Sequence, residues 1–161
     1  MSAIPLRISV ASATGFGGTQ LSAFHAALAS VNLSQYNLIR LSSVIPPHAV
    51  IDTTTHAPLP VGQWGDRLYC VYAERRTAVP GTQVWAGLGW VERLDGNGGF
   101  FVEHDGESEP EVTHAVNVSI KELAAGCAYP FGEPTVILNG ATCVDLPVCT
   151  LVIAAYRTAP W

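Results

Sequence analysis

The order of the secondary-structure patterns constrains the fold of this chain more than any other feature. Only two stretches have the apolar period of an amphipathic helix: one follows a Thr19 N-cap and runs to about residue 31, and the other covers 109–125. Runs typical of β-strands cover residues 4–13, 36–44, 66–76, 82–93, 98–104, 134–144 and 148–158. Many strands with two separated helices predict an α+β sandwich whose helices lie outside packed sheets.

The apolar stripe of each predicted helix indicates which face is buried. In the first helix the stripe consists of Leu21, Phe24, Leu28 and Val31. In the second it consists of Val112, Ala115, Val116, Ile120 and Leu123. Lys121, the only lysine of the chain, lies opposite the second stripe and is expected to face solvent. The longest irregular segment is predicted at residues 48–65.

The proportions of charged and apolar residues limit the kinds of partner that the chain is expected to bind. We expect the 161 residues to form one domain, in which 13% of the residues are charged and 48% are hydrophobic. A monomer of this composition has few groups to cover its outside, so we expect a homo-oligomer. The net charge of −5, with only eight Lys and Arg residues, argues against nucleic-acid binding.

The apolar runs and the cysteines indicate the cellular compartment in which the protein is expected. No segment reaches the ~18 consecutive apolar residues of a membrane span, and the first residues lack the basic region and apolar core of a signal peptide. We therefore expect a cytoplasmic protein without membrane contact. Its cysteines, Cys70, Cys127, Cys143 and Cys149, are expected to be reduced and mostly buried. Because Cys143 and Cys149 have no second pair at zinc spacing, no metal site is predicted.

The paired serines Ser42 and Ser43 lie between a predicted strand and the strand-stopping pair Pro46-Pro47. The Ser43 hydroxyl can attack the preceding carbonyl and convert the peptide bond into an ester. Elimination then leaves dehydroalanine at position 43, and loss of ammonia leaves a pyruvoyl group. Such a ketone holds an amine as a Schiff base, which no ordinary side chain can do. The alternative interpretation is structural, with both hydroxyls satisfied at a strand end.

Three blocks of the sequence carry a resemblance to a known family. They are GFGGTQLSAFHAAL at residues 15–28, NLIRLSSVIPP at 37–47 and GGFFVEH at 98–104. The blocks resemble the glycine turn with the first helix, the processing site and the catalytic segment of the pyruvoyl-dependent arginine decarboxylases. The resemblance implies a four-layer αββα sandwich made as a proenzyme. Cleavage after Ser42 would give a β chain of residues 1–42 and an α chain of residues 43–161, assembled into trimers or a multiple of them.

The resemblance also implies roles for single residues. Asn37, five residues before the scissile bond, assists cleavage, and its amide can hold the Ser42 carbonyl or the oxyanion formed on it. Glu103 donates the proton that a decarboxylation must return to the substrate carbon. It closes an apolar run, in which desolvation favours the protonated form of a carboxyl group. Without the resemblance, Asn37 would be interpreted as an edge-strand asparagine and Glu103 as a surface glutamate.

Two other kinds of cofactor site fit the residues less well. The glycines of residues 15–18 lack the Lys-Ser/Thr of a P-loop and the spacing of a dinucleotide fingerprint, so we interpret them as a turn between strand and helix. Pyridoxal phosphate requires a lysine, and Lys121 is predicted on the solvent face of its helix. A pyruvoyl group made from Ser43 is therefore the expected cofactor.

Position 25 departs from the family pattern. Where the arginine enzymes have an acidic residue for the substrate guanidinium, this chain has His25. An imidazole cannot replace that charge pair, so either Asp52 or Asp105 reaches the substrate or the substrate is not arginine. The resemblance thus supports decarboxylation of a small amino acid more firmly than it supports arginine. Two alternatives stay open: a structural role for His25, and a non-catalytic or regulatory homologue that binds a small metabolite or a partner protein.

Overall fold

The computed structural model describes residues 4–161. Residues 1–3, which belong to the N-terminal segment without signal-peptide character, lie outside the described residues. Both helices and the long strands occur where the sequence predicts them. In chain order the elements are β1 (Arg7–Phe16), α1 (Gln20–Ser30), β2 (Asn37–Arg40), β3 (Val44–Ile45), β4 (Val50–Asp52), β5 (Arg67–Thr77), β6 (Gln83–Glu92), β7 (Gly99–Gly106), α2 (Glu109–Ala125), β8 (Thr135–Thr142) and β9 (Val148–Ala159).

The strands form two sheets that pack face to face. The first sheet has the strand order β2-β5-β9-β1-β4 and the second has the order β3-β7-β6-β8. Apolar side chains of both sheets, among them Val71, Leu88 and Val152, form a buried core between them. α1 packs on the outer face of the first sheet, and α2 packs on the outer face of the second. The predicted four-layer αββα sandwich is therefore confirmed.

Small residues bring α1 close to the first sheet. The helix begins after Thr19, whose hydroxyl accepts a hydrogen bond from a first-turn amide at 3.0 Å, as an N-cap does. Ala23 and Ala27 are fully buried, and a Cβ at Gly15 of β1 would lie 2.2 Å from the Ala23 carbonyl oxygen. The buried face of α1 is therefore centred on these alanines. The predicted stripe is wrong at Leu21, which is 69% exposed.

α2 packs on the second sheet through Val112, Val116 and Ile120, as its stripe predicts. Residues four apart lie on one face of a helix, so this row continues to Ala124 and not to Leu123. Leu123 is accordingly half exposed, and its assignment to the buried stripe is wrong.

The predicted strand at 36–44 is divided between the two sheets. β2 pairs in parallel with β5 at one edge of the first sheet, whereas β3 pairs in antiparallel fashion with β7 at one edge of the second. In the predicted irregular segment 48–65, β4 forms a short parallel pair with β1. Both differences have the same reason: pairing depends on distant partner strands, which local alternation of side chains does not show.

The four cysteines are free thiols. Cys70, Cys143 and Cys149 are buried, and Cys127 is exposed, which confirms the prediction of mostly buried cysteines. Burial raises the pKa of the Cys70 and Cys149 thiols to about 12, so both are unreactive at neutral pH. Within residues 4–161, no helix has the length and apolar character needed to cross a membrane.

Candidate active site

Residues 41–43 carry the chain from the first sheet to the second, and we call them the crossing segment. At one end, the Leu41 N–H donates to the Cys70 carbonyl of β5 at 2.9 Å. At the other end, the Ser43 carbonyl accepts from the Phe101 N–H of β7 at 2.8 Å. The bond between Ser42 and Ser43 therefore lies in a short stretch that is held at both ends by different sheets.

Ser43 has an unusual backbone conformation for its residue type. Its φ is +74°, in the left-handed region that serine rarely adopts, and the residue is only 9% exposed. Such a conformation costs on the order of 1–3 kcal/mol and persists only where the surrounding structure enforces it. Here the enforcing contacts are the two sheet attachments on either side of the crossing segment.

The Ser43 hydroxyl is hydrogen-bonded to the carboxylate of Glu103. Oγ donates to Oε1 at 2.7 Å and lies 2.9 Å from Oε2. The register explains the contact: Val44 pairs with Phe100, so Ser43 lies opposite Phe101, and Glu103 is two residues further along the same face of β7. The structure thus brings together two of the predicted site residues that are 60 positions apart in the chain.

Tyr156 of β9 completes this site, and no sequence pattern indicates it. Its hydroxyl donates to the Val44 carbonyl at 3.0 Å, and its ring lies edge-on to Phe101 with the centroids 6.2 Å apart. Burial raises the pKa of Tyr156, and the negative charge of Glu103 raises it further. The hydroxyl therefore remains a donor at any physiological pH.

Chemically, the site pairs a hydroxyl with a carboxylate. A carboxylate within 2.7 Å of a serine hydroxyl can take its proton as the oxygen attacks. Ser43 is the residue whose attack on the preceding carbonyl would start self-cleavage. The geometry therefore suits the first step of the chemistry predicted from the sequence.

The structure places the predicted helper Asn37 apart from this pair. Asn37 lies at the start of β2, is exposed, and donates its side-chain amide to the Gly65 carbonyl at 2.7 Å. A strand rises about 3.3 Å per residue, so an extended segment puts Asn37 roughly 15 Å from Ser42. Ser42 itself is exposed, with its hydroxyl at the surface of the crossing segment. Within one chain, Asn37 does not reach the scissile bond.

His25 and the two carboxylates proposed to replace an acidic residue lie in other parts of the fold. His25 is exposed on α1. Asp52 forms an ion pair with Arg7 at 2.6 Å; hydrogen bonds from Thr54, with this arginine, lower the pKa of its carboxyl. Asp105 forms an ion pair with Arg75 at 2.8 Å. Both carboxylates therefore already have a cation within the chain.

Comparison with known proteins is consistent with this geometry. The family model described as pyruvoyl-dependent arginine decarboxylase matches residues 7–158. A pyruvoyl-dependent arginine decarboxylase of Halobacterium salinarum is 44% identical over 152 residues, which cover 93% of each chain. The enzyme of the same description from Thermococcus kodakarensis is 31% identical over 150 residues, 92% of this chain and 93% of the relative.

Among solved structures, a pyruvoyl-dependent histidine decarboxylase at pH 8 matches with a TM-score of 0.46 and 16% identity, over 65% of this chain and 55% of that chain. The family assignment depends on the sequence matches, which extend well beyond the three blocks at residues 15–28, 37–47 and 98–104. They confirm the predicted resemblance. With a family match over most of its length and a relative 44% identical across 93% of both chains, this chain belongs to the pyruvoyl-dependent arginine decarboxylase family.

Proposed function

We propose that this chain is a pyruvoyl-dependent amino-acid decarboxylase, made as a proenzyme that cuts itself between Ser42 and Ser43. One observation carries the proposal: the Ser43 hydroxyl, in a buried left-handed residue, is hydrogen-bonded to the carboxylate of Glu103. Membership of the family supports the same chemistry. We place the enzyme in the cytoplasm, where free amino acids are at hand.

In the cleavage step, Ser43 is the nucleophile and Glu103 is the base. Glu103 takes the hydroxyl proton while Ser43 Oγ bonds to the Ser42 carbonyl carbon, and the peptide C–N bond breaks as the Ser43 nitrogen gains a proton. Loss of the α-proton of residue 43 then expels Ser42 as a carboxylate and leaves dehydroalanine. Water replaces the nitrogen through the imine tautomer, ammonia leaves, and a keto group remains at position 43.

Cleavage also removes the strain at Ser43. The angle φ describes rotation about the N–Cα bond, and that bond no longer exists once the nitrogen has left as ammonia. A cost on the order of 1–3 kcal/mol is thereby released, which favours the cut form. The carbonyl of residue 43 keeps its acceptor role toward the Phe101 N–H throughout, because it takes no part in the reaction.

The residues around position 43 fit a pyruvoyl group, since its precursor hydroxyl is buried beside a carboxylate and its carbonyl already has a donor. When formed, that group supplies a ketone that takes up a substrate amine and draws electrons as carbon dioxide leaves. Glu103 in its protonated form returns a proton to the substrate carbon. The Phe101 N–H and the Tyr156 hydroxyl hold the backbone at 43–44 in place.

Asn37 assists cleavage from a neighbouring copy of the chain. Its own amide is bound to Gly65 and lies on the order of 15 Å from the scissile bond of the same chain. Both Asn37 and Ser42 are exposed, so a second chain can bring the two together. This requires a homo-oligomer, for which we propose a trimer of processed protomers or a multiple of it. The low charged fraction of 13% supports such an assembly.

The substrate is an amino acid other than arginine. The curated relatives are described as arginine decarboxylases, but the position that would hold a carboxylate for the guanidinium is His25 in this chain. Asp52 and Asp105 cannot substitute without giving up Arg7 and Arg75. We therefore propose a substrate whose side chain is neutral, aromatic or acidic, with His25 in contact with it.

Intact-mass analysis of the purified protein tests the processing directly. We expect two fragments, of 42 and 119 residues, with the longer one blocked at its N-terminus. Incubation with each common amino acid and ornithine, followed by detection of carbon dioxide and amine, then identifies the substrate. A wild-type protein that remains a single 161-residue chain would overturn the proposal and leave a non-catalytic homologue as the better account.

A further inference from the structure

The Val44 carbonyl has a donor that does not belong to its own sheet. β3 is the outermost strand of the second sheet, with β7 on its inner side. Successive carbonyls of a strand point to opposite sides, and the Ser43 carbonyl points toward β7, where it accepts from the Phe101 N–H. The Val44 carbonyl therefore points away from β7. There the Tyr156 hydroxyl donates to it at 3.0 Å.

Tyr156 follows Val152 and Ala154 on the face of β9 that is turned to the core between the sheets, and it lies at a β-bulge of the first sheet. In the β5–β9 ladder, Tyr69 pairs with Arg157 and Cys70 pairs with Ala155, so Tyr156 is an extra residue without a partner of its own. Bulges re-aim side chains and bend the strand. The Tyr156 side chain is 6% exposed and crosses the core between the sheets to reach β3.

Cleavage changes what holds β3 in place. In the proenzyme, β3 is tied covalently to the crossing segment, which is bound to β5. In the cut form, residue 43 becomes a chain terminus only one residue from a strand that is itself two residues long. Terminal residues lose order unless specific contacts tie them down. The contacts left at residues 43 and 44 are the Phe101 N–H on one side and the Tyr156 hydroxyl on the other.

We propose that Tyr156 is a positioning residue whose hydroxyl holds the terminus created by self-cleavage, and with it the reactive residue 43, against Glu103. The inference rests on the proposed function, because it needs the cut between Ser42 and Ser43. In the uncut chain the hydroxyl is redundant with the covalent tether. In the cut chain it is one of two hydrogen bonds that fix residues 43 and 44.

Hydrogen exchange at the start of the cut chain measures this role. Between residue 43 and His48 only Val44 and Ile45 carry backbone amides, because Pro46 and Pro47 have none. The Ile45 N–H faces β7, where Ile45 pairs with Gly99, so its exchange reports on how firmly β3 is held. In cut Tyr156→Phe, we expect the Ile45 amide to exchange about 5- to 10-fold faster than in the cut wild type, the effect of one lost hydrogen bond. Intact mass first establishes that both proteins are cut.

The same substitution in the uncut Ser43→Ala chain is the matched comparison. There we expect less than about a twofold change, because the crossing segment still holds β3. Tyr69→Phe removes a hydroxyl beside the same core, one without a bond to Val44, and should leave exchange of the Ile45 amide unchanged. A further measurement keeps Tyr156: the Ile45 amide of the cut wild type and that of the uncut Ser43→Ala chain should exchange at rates within about threefold of each other.

Three outcomes would overturn the inference. Equal acceleration in cut and uncut Tyr156→Phe would show a general structural role for the hydroxyl. Unchanged exchange in cut Tyr156→Phe would show that Phe101 alone holds the terminus. A folded Tyr156→Phe chain that stays uncut would place the hydroxyl in the cleavage step instead. A wild-type chain that stays uncut is a different failure, since it removes the terminus and the proposed function together.

Discussion

Two left-handed residues, Asn32 and Ser43, show how differently the same backbone conformation can be explained. Asn32 has φ = 58° just after α1, is exposed, and donates its N–H to the Ala29 carbonyl at 3.0 Å. Asparagine tolerates this conformation and commonly ends helices in this way. Ser43 has φ = 74° but is buried, and its hydroxyl is bound to Glu103. The first conformation follows from the helix end alone, whereas the second is enforced by two sheets and places a hydroxyl against a carboxylate.

The strongest challenge to this contrast is removal of the Ser43 hydroxyl. Ser43→Ala keeps the backbone and should abolish cleavage, because alanine has no nucleophile and cannot form dehydroalanine. SDS gels and intact mass should show one uncut, inactive chain. Ser42→Ala is the control: the step uses the carbonyl of residue 42 and not its hydroxyl, so this variant should still be cut. Cleavage of the Ser43→Ala chain at the same bond would mean that the difference between Ser43 and Asn32 does not reflect self-cleavage.

The partner of the Ser43 hydroxyl gives the next largest effect. Glu103→Gln can still accept the hydrogen bond but cannot donate or take up a proton as a carboxyl group does, so we expect kcat to fall about 100-fold or more. Cleavage should become slower without a loss of folding. Asp105→Asn, two residues along the same strand and paired with Arg75, is the matched control and should keep near-normal kcat. If Glu103→Gln also has near-normal kcat, Glu103 has no part in turnover.

A substitution at His25 tests whether the exposed helix α1 contributes to the substrate site of a neighbouring chain. A desolvated guanidinium that lacks its carboxylate loses about 2–5 kcal/mol of binding, so arginine should be a poor substrate for the wild type. His25→Asp should raise kcat/KM for arginine about 30-fold or more. Ala29→Asp adds the same charge at an exposed position one turn along the helix and should have little effect. Fastest turnover of arginine by the wild type, without a gain in His25→Asp, would remove position 25 from specificity.

The smallest expected effect concerns Asn32, the residue of this pair whose conformation is explained by the helix end. Asn32→Ala should lower the free energy of unfolding by about 1 kcal/mol, because a Cβ without a polar group is disfavoured at positive φ. Asn32→Gly should change it by less than about 0.5 kcal/mol. Urea unfolding of both variants in the uncut Ser43→Ala background measures these values in a single covalent chain. Any change in cleavage caused by Asn32→Ala in the otherwise wild-type chain would argue against a purely structural residue.

The fold could be predicted largely because its signals are local. Alternation of apolar residues identifies the long strands, and Thr19 marks the start of α1. The buried face of α1 could not be read correctly, because it depends on the close approach of Gly15 to Ala23. The division of residues 36–44 between two sheets depends on β5 and β7, which lie far along the chain.

The candidate site could be predicted only in part, and for a related reason. Ser43 and Glu103 were indicated by resemblance, and their contact follows from the β3–β7 register, which the sequence does not show. The contact of Tyr156 with Val44 depends on how the two sheets face each other, which no local pattern shows. The separation of Asn37 from Ser42 within one chain, in contrast, follows from the predicted strand at 36–44, because each strand residue adds about 3.3 Å.

The strand order of the first sheet has a consequence for the proposed cut between Ser42 and Ser43. β1 and β2 belong to residues 1–42, and β1 lies between β9 and β4, which belong with β5 to residues 43–161. Neither piece can leave without breaking a sheet, so they remain together without a covalent link. Refolding after denaturation differs, however, between the two forms. In the uncut chain it is a first-order process, whereas in the cut form it requires a second-order association of two chains. If the chain is cut as proposed, each protomer consists of two chains held together without a covalent bond, and its refolding depends on protein concentration in a way that refolding of the uncut chain does not.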